Sequence, residues 1–234
     1  MSDHSATSSL PSSIMLDPLP EDSPSLRPFR AYAYSNHLLQ NPDYYPIGTW
    51  SRLLKPTGED GLFAGTLATA TTIPHCLTLR LRQLPTLPAI APTWPAPTAN
   101  PTSAPSSTPP DVFMLLALAA TGICGHPSTV HGGIVATCID EAMSLAVTLY
   151  APPPELDPQS QSPRGKLFTS QLDVRYKRPV SAPGLLAVRA KVVARVGRKF
   201  WVRAQVLQED EENPSQMVVT TDAMAFWLQT TANL

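Results

Sequence analysis

The stretch "STVHGGIVATCIDEAM", Ser128 to Met143, decides the fold prediction. It places a histidine and two glycines directly before an almost wholly apolar run that contains two adjacent carboxylates. We predict a helix from about Gly133 to Leu149, in which the polar residues fall at helical spacing in one narrow stripe. The members of that stripe are Thr137, Asp140, Glu141 and Ser144.

A helix that is apolar on most sides needs cover on most sides. The other regular stretches alternate apolar and polar residues, or are continuously apolar, as strands do. We therefore predict an α+β domain, in which an antiparallel sheet curls around one long central helix. The predicted strands are His75–Leu84, Val112–Thr121, Phe168–Lys177, Gln216–Gln229, and a hairpin of Leu185–Val196 and Lys199–Gln208 that turns at Gly197-Arg198.

Domain organisation follows from where proline concentrates among the 27 prolines of the 234 residues. Residues 1–28 are rich in Ser, Pro and Asp and are predicted to form a disordered tail. Residues 29–234 are predicted to form a single domain that begins with one or two short helices between Phe29 and Leu54. A proline-rich surface insertion is expected at 85–110, and a second irregular loop at Pro152–Pro163.

The overall charge excludes some classes of partner. A formal net charge of -1 gives no field that would attract nucleic acid or an anionic membrane.

The cysteines and the N-terminus bear on the compartment. Three cysteines without a CxxC pair favour reduced thiols. The N-terminus resembles neither a signal nor a transit peptide, and no run reaches the ~18 uninterrupted apolar residues of a membrane span. We therefore expect a soluble cytoplasmic protein.

The start of the predicted helix suits carbonyl chemistry. Gly132 and Gly133 let a ligand approach the backbone, and the first N–H groups of a helix lack internal partners. Together with the helix dipole, they can stabilise a developing oxyanion. Asp140 is expected to face a cleft or a subunit interface, close enough to act on a carbonyl held there. His131 is interpreted as a supporting residue, a proton carrier or a helix cap.

These residues resemble a known family. "HGGIVATCIDEAM" is similar to the signature of hotdog-fold acyl-CoA thioesterases of the phenylacetate-degradation type, in which an Asp stands nine positions after the His. "LDVRYKRPV" and "VGRKFWVRAQV" resemble further segments of the mammalian and fungal branch. The resemblance covers roughly Leu62 to Leu228 without the insertion. It implies a hotdog fold and hydrolysis of an acyl-CoA or acyl-carrier-protein thioester in lipid or secondary metabolism, without a cofactor.

The resemblance also implies roles for particular residues. Asp140 would be the nucleophile or general base, the Gly132 N–H the oxyanion donor, and His131 a residue that positions the thioester. The family implies a homodimer whose two sheets join edge to edge and whose sites lie at the interface, and the pairing of dimers into tetramers stays open. By the resemblance, Thr169 would orient the water from the other subunit. Strict alternation points it away from the helix of its own chain, which is compatible with that role.

Substrate contacts are expected at Gly133 and at the hairpin residues Arg198 and Lys199, which could meet coenzyme A phosphates, although basic residues in a hairpin are more often solvated. The chain departs from the family at Cys124, where relatives often carry Asn in an Asn-Gly-His-Pro segment.

Two alternatives stay open. In a hotdog dehydratase, His126 and Glu141 would form the catalytic pair. In a non-catalytic module, the fold would bind an acyl thioester or a partner protein, with the insertion as docking segment. The sequence lacks the GxSxG, GxGxxG and Walker A motifs. His126, His131 and Asp140 lack a recognised metal-ligand spacing, so no metal is predicted.

Overall fold

A computed structural model describes residues 16–96, 104–151, 165–210, 213 and 216–230. Its N-terminal part contains α1 (Arg27–Arg30), α2 (Ala33–Leu39) and β1 (Tyr44–Ile47). Helical turns lie at Pro24–Leu26, Trp50–Arg52 and Leu62–Thr66. The remaining elements are β2 (His75–Leu81), β3 (Val112–Leu118), β4 (Cys124–His126), β5 (Thr129–Val130), α3 (Gly132–Tyr150), β6 (Leu167–Tyr176), β7 (Gly184–Val196), β8 (Lys199–Glu209) and β9 (Met217–Gln229).

One seven-stranded antiparallel sheet, in the order β1-β2-β3-β7-β8-β9-β6, wraps around α3. The small hairpin of β4 and β5 leads into the start of the helix. The predicted α+β architecture, with an antiparallel sheet around one long central helix, is confirmed. The predicted turn at Gly197-Arg198 is also confirmed, because Val196 pairs directly with Lys199.

The core explains why α3 is so apolar. Its sheet-facing residues recur every three or four positions, as a single helix face requires, and are fully buried: Val135, Cys138, Ile139, Ala142, Met143, Ala146 and Val147. They pack against the inner faces of β3, β7, β8 and β9. This packing holds the helix at a fixed position on the sheet, and with it the polar stripe on the opposite side.

Length and composition alone would allow one helix of the described residues, α3, to cross a membrane. This is the central helix of the sheet-wrapped core, and its apolar face is occupied by the sheet.

The outer face of the sheet is covered by segments from two parts of the chain. Near β2, β3 and β7, the residues Leu26, Phe29 and Leu38 form a second apolar cluster with the sheet. The predicted tail therefore has to be corrected for residues 16–28, since Leu26 is only 4% exposed and packs in this cluster. Residues 1–15 of the predicted tail and the predicted loop 152–163 lie outside the described residues.

Described parts of the proline-rich insertion also contact the sheet, at β6 and β7. Arg189 on β7 donates hydrogen bonds to the carbonyl oxygens of Ser106 and Thr108. On β6, Asp173 accepts a hydrogen bond of 3.4 Å from the Trp94 indole, and Arg175 donates one of 3.2 Å to the carbonyl of Pro95. The described parts of the insertion thus lie along the sheet surface.

Candidate active site

His131 caps the helix α3. Its Nδ1 accepts a hydrogen bond of 3.0 Å from the backbone N–H of Gly133. Because Nδ1 is the acceptor, a neutral His131 carries its proton on Nε2, which remains able to donate to a ligand. This geometry supports the cap interpretation of His131 and leaves its Nε2–H as a hydrogen-bond donor.

The Gly132 N–H is the donor that remains at the helix start. It makes no hydrogen bond to the described part of the chain. The carbonyl of the same residue accepts a hydrogen bond of 2.8 Å from the Tyr176 hydroxyl. The helix start therefore offers one unpaired N–H, on a backbone held by two side chains, as an oxyanion site requires.

Asp140 lies in the middle of α3, half-buried, and is hydrogen-bonded to a hydroxyl. Thr169 on β6 donates to its Oδ1 at 2.7 Å. Burial raises the pKa of the Asp140 carboxyl above its ordinary value, while the hydrogen bond from Thr169 acts in the opposite direction. A carboxylate that is partly desolvated and held by one hydroxyl is a suitable base or nucleophile.

The position of Thr169 corrects the sequence prediction. Strict alternation placed Thr169 away from the helix of its own chain, but a β-bulge shifts the register between Thr169 and Gln171. A bulge inserts one extra residue, so the alternation changes phase at that point. Thr169 and Tyr176, which strict alternation would place on opposite faces, both reach α3 as a result.

A second correction concerns the distance between Gly132 and Asp140. They are separated by about two turns of one continuous helix, which corresponds to about 12 Å along its axis. A nucleophile must come within about 3.5 Å of the carbonyl carbon, and an oxyanion donor within about 3 Å of its oxygen. Asp140 and the helix start of the same chain are therefore too far apart to act together on one carbonyl.

Two cavities of the described residues lie away from the helix start and Asp140. One, of about 620 Å³, is lined by residues that include Arg178, Gly184 and Asp210. The other, of about 610 Å³, lies between the insertion and the outer sheet face. Neither is lined by Gly132 or Asp140. Asp140 and the helix start instead lie along the side of α3 that faces β6, which is an edge strand of the sheet.

Glu141 occupies a different environment from Asp140. Burial raises its pKa to about 7, and the carboxylates of Asp60 and Asp140 add to the rise, whereas the Ser51 hydroxyl and the Lys55 ammonium oppose it. The segment that covers Glu141 is held by an ion pair between Lys55 and Asp60. Glu141 is therefore protonated to a much larger extent near neutral pH than an ordinary glutamate.

The two residues of the alternative dehydratase pair lie in different environments among the described residues. His126 lies exposed on β4, where it pairs with Thr129. In the described part of the chain, no hydrogen bond or ion pair joins His126 to Glu141.

The remaining predicted residues lie at the surface. Gly133 is exposed at the helix start, and Arg198 and Lys199 are exposed in the hairpin turn, where Arg198 donates a hydrogen bond of 3.4 Å to the Gln229 carbonyl. Cys124 donates a hydrogen bond of 3.0 Å to the Ala120 carbonyl. Among the described residues, no group of three or more His, Cys, Asp or Glu side chains could hold a metal ion.

Two features of the site were missed by the sequence analysis. Tyr176 was assigned only to a strand face, and its hydrogen bond to Gly132 joins residues far apart in the chain. The Tyr-Lys-Arg-Pro segment was the available signal, since it brought Tyr176 into the family resemblance. The segment around Lys55 covers Glu141. No pattern in the sequence indicates this contact, because it depends on tertiary packing.

Part of the chain matches a known protein family. The family model described as "Thioesterase superfamily" matches residues 128–215. This span includes α3, β6, β7 and β8. This span contains His131, Gly132, Asp140, Thr169 and Tyr176. The antiparallel sheet around one long helix is a hotdog fold, and residues 128–215 of the chain are similar to the thioesterase superfamily. The resemblance to thioesterases found in the sequence agrees with this match over residues 128–215.

Individual relatives are distant. The chain is 29% identical over 107 residues to an uncharacterized protein of Schizosaccharomyces pombe, a match that covers 46% of this chain and 54% of the relative. It is 29% identical over 147 residues to the verlamelin biosynthesis protein B of a Lecanicillium species, covering 56% of this chain and 58% of that protein. The chain thus spans little more than half the length of these curated relatives.

Among solved structures, a conserved protein of Pseudomonas aeruginosa is similar to the chain at 23% identity and a TM-score of 0.40. The match covers 51% of this chain and 80% of that protein.

Proposed function

We propose that this protein hydrolyses acyl thioesters, with an acyl-CoA or an acyl-carrier protein as substrate. The observation that carries the proposal is the Asp140 carboxylate, half-buried and hydrogen-bonded to Thr169 at 2.7 Å, on a helix whose start offers an unpaired Gly132 N–H. Hydrolysis of a thioester needs both a base or nucleophile and a donor for the oxyanion.

The site is proposed to be shared between two copies of the chain. Since Asp140 and Gly132 of one helix are about 12 Å apart, a second helix must supply one of them. Two copies joined through the free edge of β6 would bring a second α3 alongside the first, in the opposite direction. Asp140 and Thr169 of one copy then face the helix start of its partner, and the dimer has two equivalent sites.

In the proposed reaction, Asp140 acts as general base. It takes a proton from a water molecule, whose oxygen forms a bond to the thioester carbonyl carbon. The oxyanion is held by the Gly132 N–H, and when it collapses the carbon–sulfur bond breaks and the thiolate leaves. The thiolate takes up the proton that Asp140 accepted from water, which restores the Asp140 carboxylate, while the Nε2–H of His131 can donate a hydrogen bond to the thioester. Direct attack by Asp140 would form an acyl anhydride that water then hydrolyses to the same products.

The test is free-thiol release from short, long and aromatic acyl-CoAs and from an acyl-carrier protein. We expect wild type to release thiol and Asp140→Asn to lower kcat by more than a hundredfold with folding intact. Glu141→Gln is the matched control, because it neutralises the adjacent carboxyl in the same helix. Near-normal turnover in Asp140→Asn would exclude the role of Asp140, and no release from any substrate would favour a dehydratase or a binding module.

Arg198 and Lys199 are proposed to contact the phosphates of coenzyme A. They are exposed in one hairpin turn, where two cations can meet an anionic ligand. The double variant Arg198→Ala/Lys199→Ala should raise KM for acyl-CoA about tenfold. It should leave KM unchanged for the same acyl group on N-acetylcysteamine, which carries no phosphate. An equal effect on both substrates would contradict the assignment.

The compartment is proposed to be the cytoplasm. All three cysteines, Cys76, Cys124 and Cys138, are free thiols, which suits a reducing environment. Burial raises the pKa of the Cys76 thiol to about 12, so this thiol is unreactive at neutral pH.

A further inference from the structure

Two side chains hold opposite ends of a single peptide group at the start of α3. The Tyr176 hydroxyl donates to the carbonyl oxygen of Gly132 at 2.8 Å. The N–H of Gly133, which belongs to the same peptide group, donates to His131 Nδ1 at 3.0 Å. Because a peptide group is planar and rigid, fixing both ends fixes its orientation.

This support matters because two successive glycines leave the backbone unusually free to rotate. The Gly132 N–H, the proposed oxyanion donor, lies on the other side of the Gly132 Cα from the held peptide group. Its own peptide group is held through the His131 carbonyl, which accepts from the Ile134 and Val135 N–H groups at 2.9 and 3.2 Å. The peptide group on the other side of the Gly132 Cα also affects its direction, because the two groups share that Cα. A donor that must point at a developing charge is effective only when it is oriented in advance.

We propose that Tyr176 is a positioning residue for the thioester hydrolysis proposed above, on which this inference rests. Its hydroxyl, together with His131, holds the Gly132–Gly133 peptide group and so aims the Gly132 N–H at the oxyanion. Tyr176 acts through the backbone of Gly132 and needs no contact with the substrate.

The close packing of this region agrees with that role. A Cβ added at Gly132 would lie 3.4 Å from Tyr176 Cζ and 3.5 Å from its Oη. A Cβ added at Gly133 would lie 3.1 Å from His131 Nδ1, which is tighter than ordinary van der Waals contact. The two glycines thus leave room for the side chains that hold the peptide group between them.

Burial of the ring does not explain the presence of Tyr176. The residue is 53% exposed, so it contributes little to the core. It reaches α3 because the β-bulge after Thr169 sets the phase of the second half of β6. Partial burial raises the pKa of the Tyr176 phenol, which keeps the hydroxyl protonated and able to donate at neutral pH.

The first test does not depend on catalytic activity. In protein labelled with ¹⁵N-glycine, 11 glycines give backbone amide signals that can be assigned and followed by hydrogen exchange. Tyr176→Phe should speed exchange of the Gly133 amide at least fivefold and shift the Gly132 and Gly133 signals. Tyr45→Phe is the matched control, since its hydroxyl bonds the Leu16 carbonyl at 3.5 Å and contacts none of these residues. Unchanged exchange and unchanged shifts in Tyr176→Phe would overturn the proposal.

The second test separates positioning from substrate contact. Tyr176→Phe should lower kcat about tenfold, the effect of one lost hydrogen bond, with KM changed less than twofold and the melting temperature close to wild type. A raised KM with normal kcat would show that the phenol binds substrate, and would overturn the positioning role. Absence of turnover in wild type would overturn the proposed function and the role of Tyr176 in it together. Unchanged hydrogen exchange at the glycines would overturn only the proposal that Tyr176 holds the Gly132–Gly133 peptide group.

Discussion

Thr169 donates a hydrogen bond of 2.7 Å to Asp140 of the same chain. The bond stabilises the ionised carboxylate, since a hydroxyl that donates to the charged form lowers the pKa of an acid. Burial acts against it and raises the pKa of Asp140. The charge state of the proposed base is therefore set by two opposing effects, one of which a single hydroxyl supplies.

The first prediction concerns this hydroxyl. Thr169→Val keeps the shape of the side chain and removes the donor, so the pKa of Asp140 should rise further and the acidic limb of the kcat/KM profile should move to higher pH. We expect kcat at neutral pH to fall about tenfold, the effect of one charged hydrogen bond. Thr169→Ser keeps the hydroxyl, so both kcat and the pH of the acidic limb should stay close to their wild-type values. A profile for Thr169→Val identical to wild type would contradict the role of the bond.

The second prediction uses mixed dimers to locate the site residues. If Asp140 and Thr169 of one chain act together, a heterodimer of Asp140→Asn with Thr169→Val should show no recovery of activity. If the helix start comes from the partner, a heterodimer of Asp140→Asn with His131→Ala should recover up to half of the wild-type rate. Its one recovered site would combine Asp140 of one chain with His131 of the other.

Differently tagged chains, co-expressed and purified in tandem, give the defined heterodimers for this measurement. Recovery in the Asp140→Asn and Thr169→Val pair would show that Thr169 serves the partner's site. No recovery in the Asp140→Asn and His131→Ala pair would contradict a site shared between two helices.

The third prediction concerns the effect of pH on stability through Glu141. Burial raises the pKa of Glu141 in the folded chain to about 7, above its ordinary value. The folded chain therefore holds a proton that the unfolded chain has lost between about pH 4.5 and pH 7. Across that window this group's contribution to the free energy of unfolding should fall as the pH rises, by about 3 kcal/mol at most.

Glu141→Gln should remove this dependence, so the variant should gain stability relative to wild type between pH 5 and pH 8. Urea unfolding at fixed protein concentration measures the difference. Glu59→Gln is the control, because Glu59 lies in the covering segment, 3.8 Å from Lys55, with a side chain that is 69% exposed. An equal pH slope in wild type and Glu141→Gln would rule out the raised pKa.

The central helix could be predicted from sequence because its pattern is local. The buried positions from Val135 to Val147 recur at helical spacing, and the alternating strands supply the sheet that covers them. The chemistry of Asp140 was predictable for the same reason, since a carboxylate in an apolar helix is costly unless it is paired or used.

The surroundings of Asp140 could not be predicted, because they depend on contacts between distant segments. A single extra residue in β6 turned Thr169 towards its own helix, and period-two alternation carries no sign of such a bulge. The bond from Tyr176 to Gly132 likewise needs the register of β6 against α3, which only the folded chain defines. The ordered residues before Phe29 were missed because Leu26 is one apolar residue in a polar stretch, and its burial depends on a surface formed elsewhere.

The fourth prediction concerns β6, which is an edge strand of the sheet and pairs with β9 along its other side. An edge strand pairs readily with a second strand, and a lysine placed on it opposes such pairing. Phe168 on this strand is 52% exposed, so Phe168→Lys should disrupt the proposed dimer without disturbing the core.

Light scattering after size exclusion should show a dimer for wild type and a monomer for Phe168→Lys, with thioesterase activity lost together with the dimer. Ile90→Lys introduces the same charge at a residue of the insertion that is 80% exposed, and it should leave both unchanged. An active monomer would contradict the shared site, because Asp140 and Gly132 of one helix are about 12 Å apart, and a wild-type monomer would exclude the dimer itself.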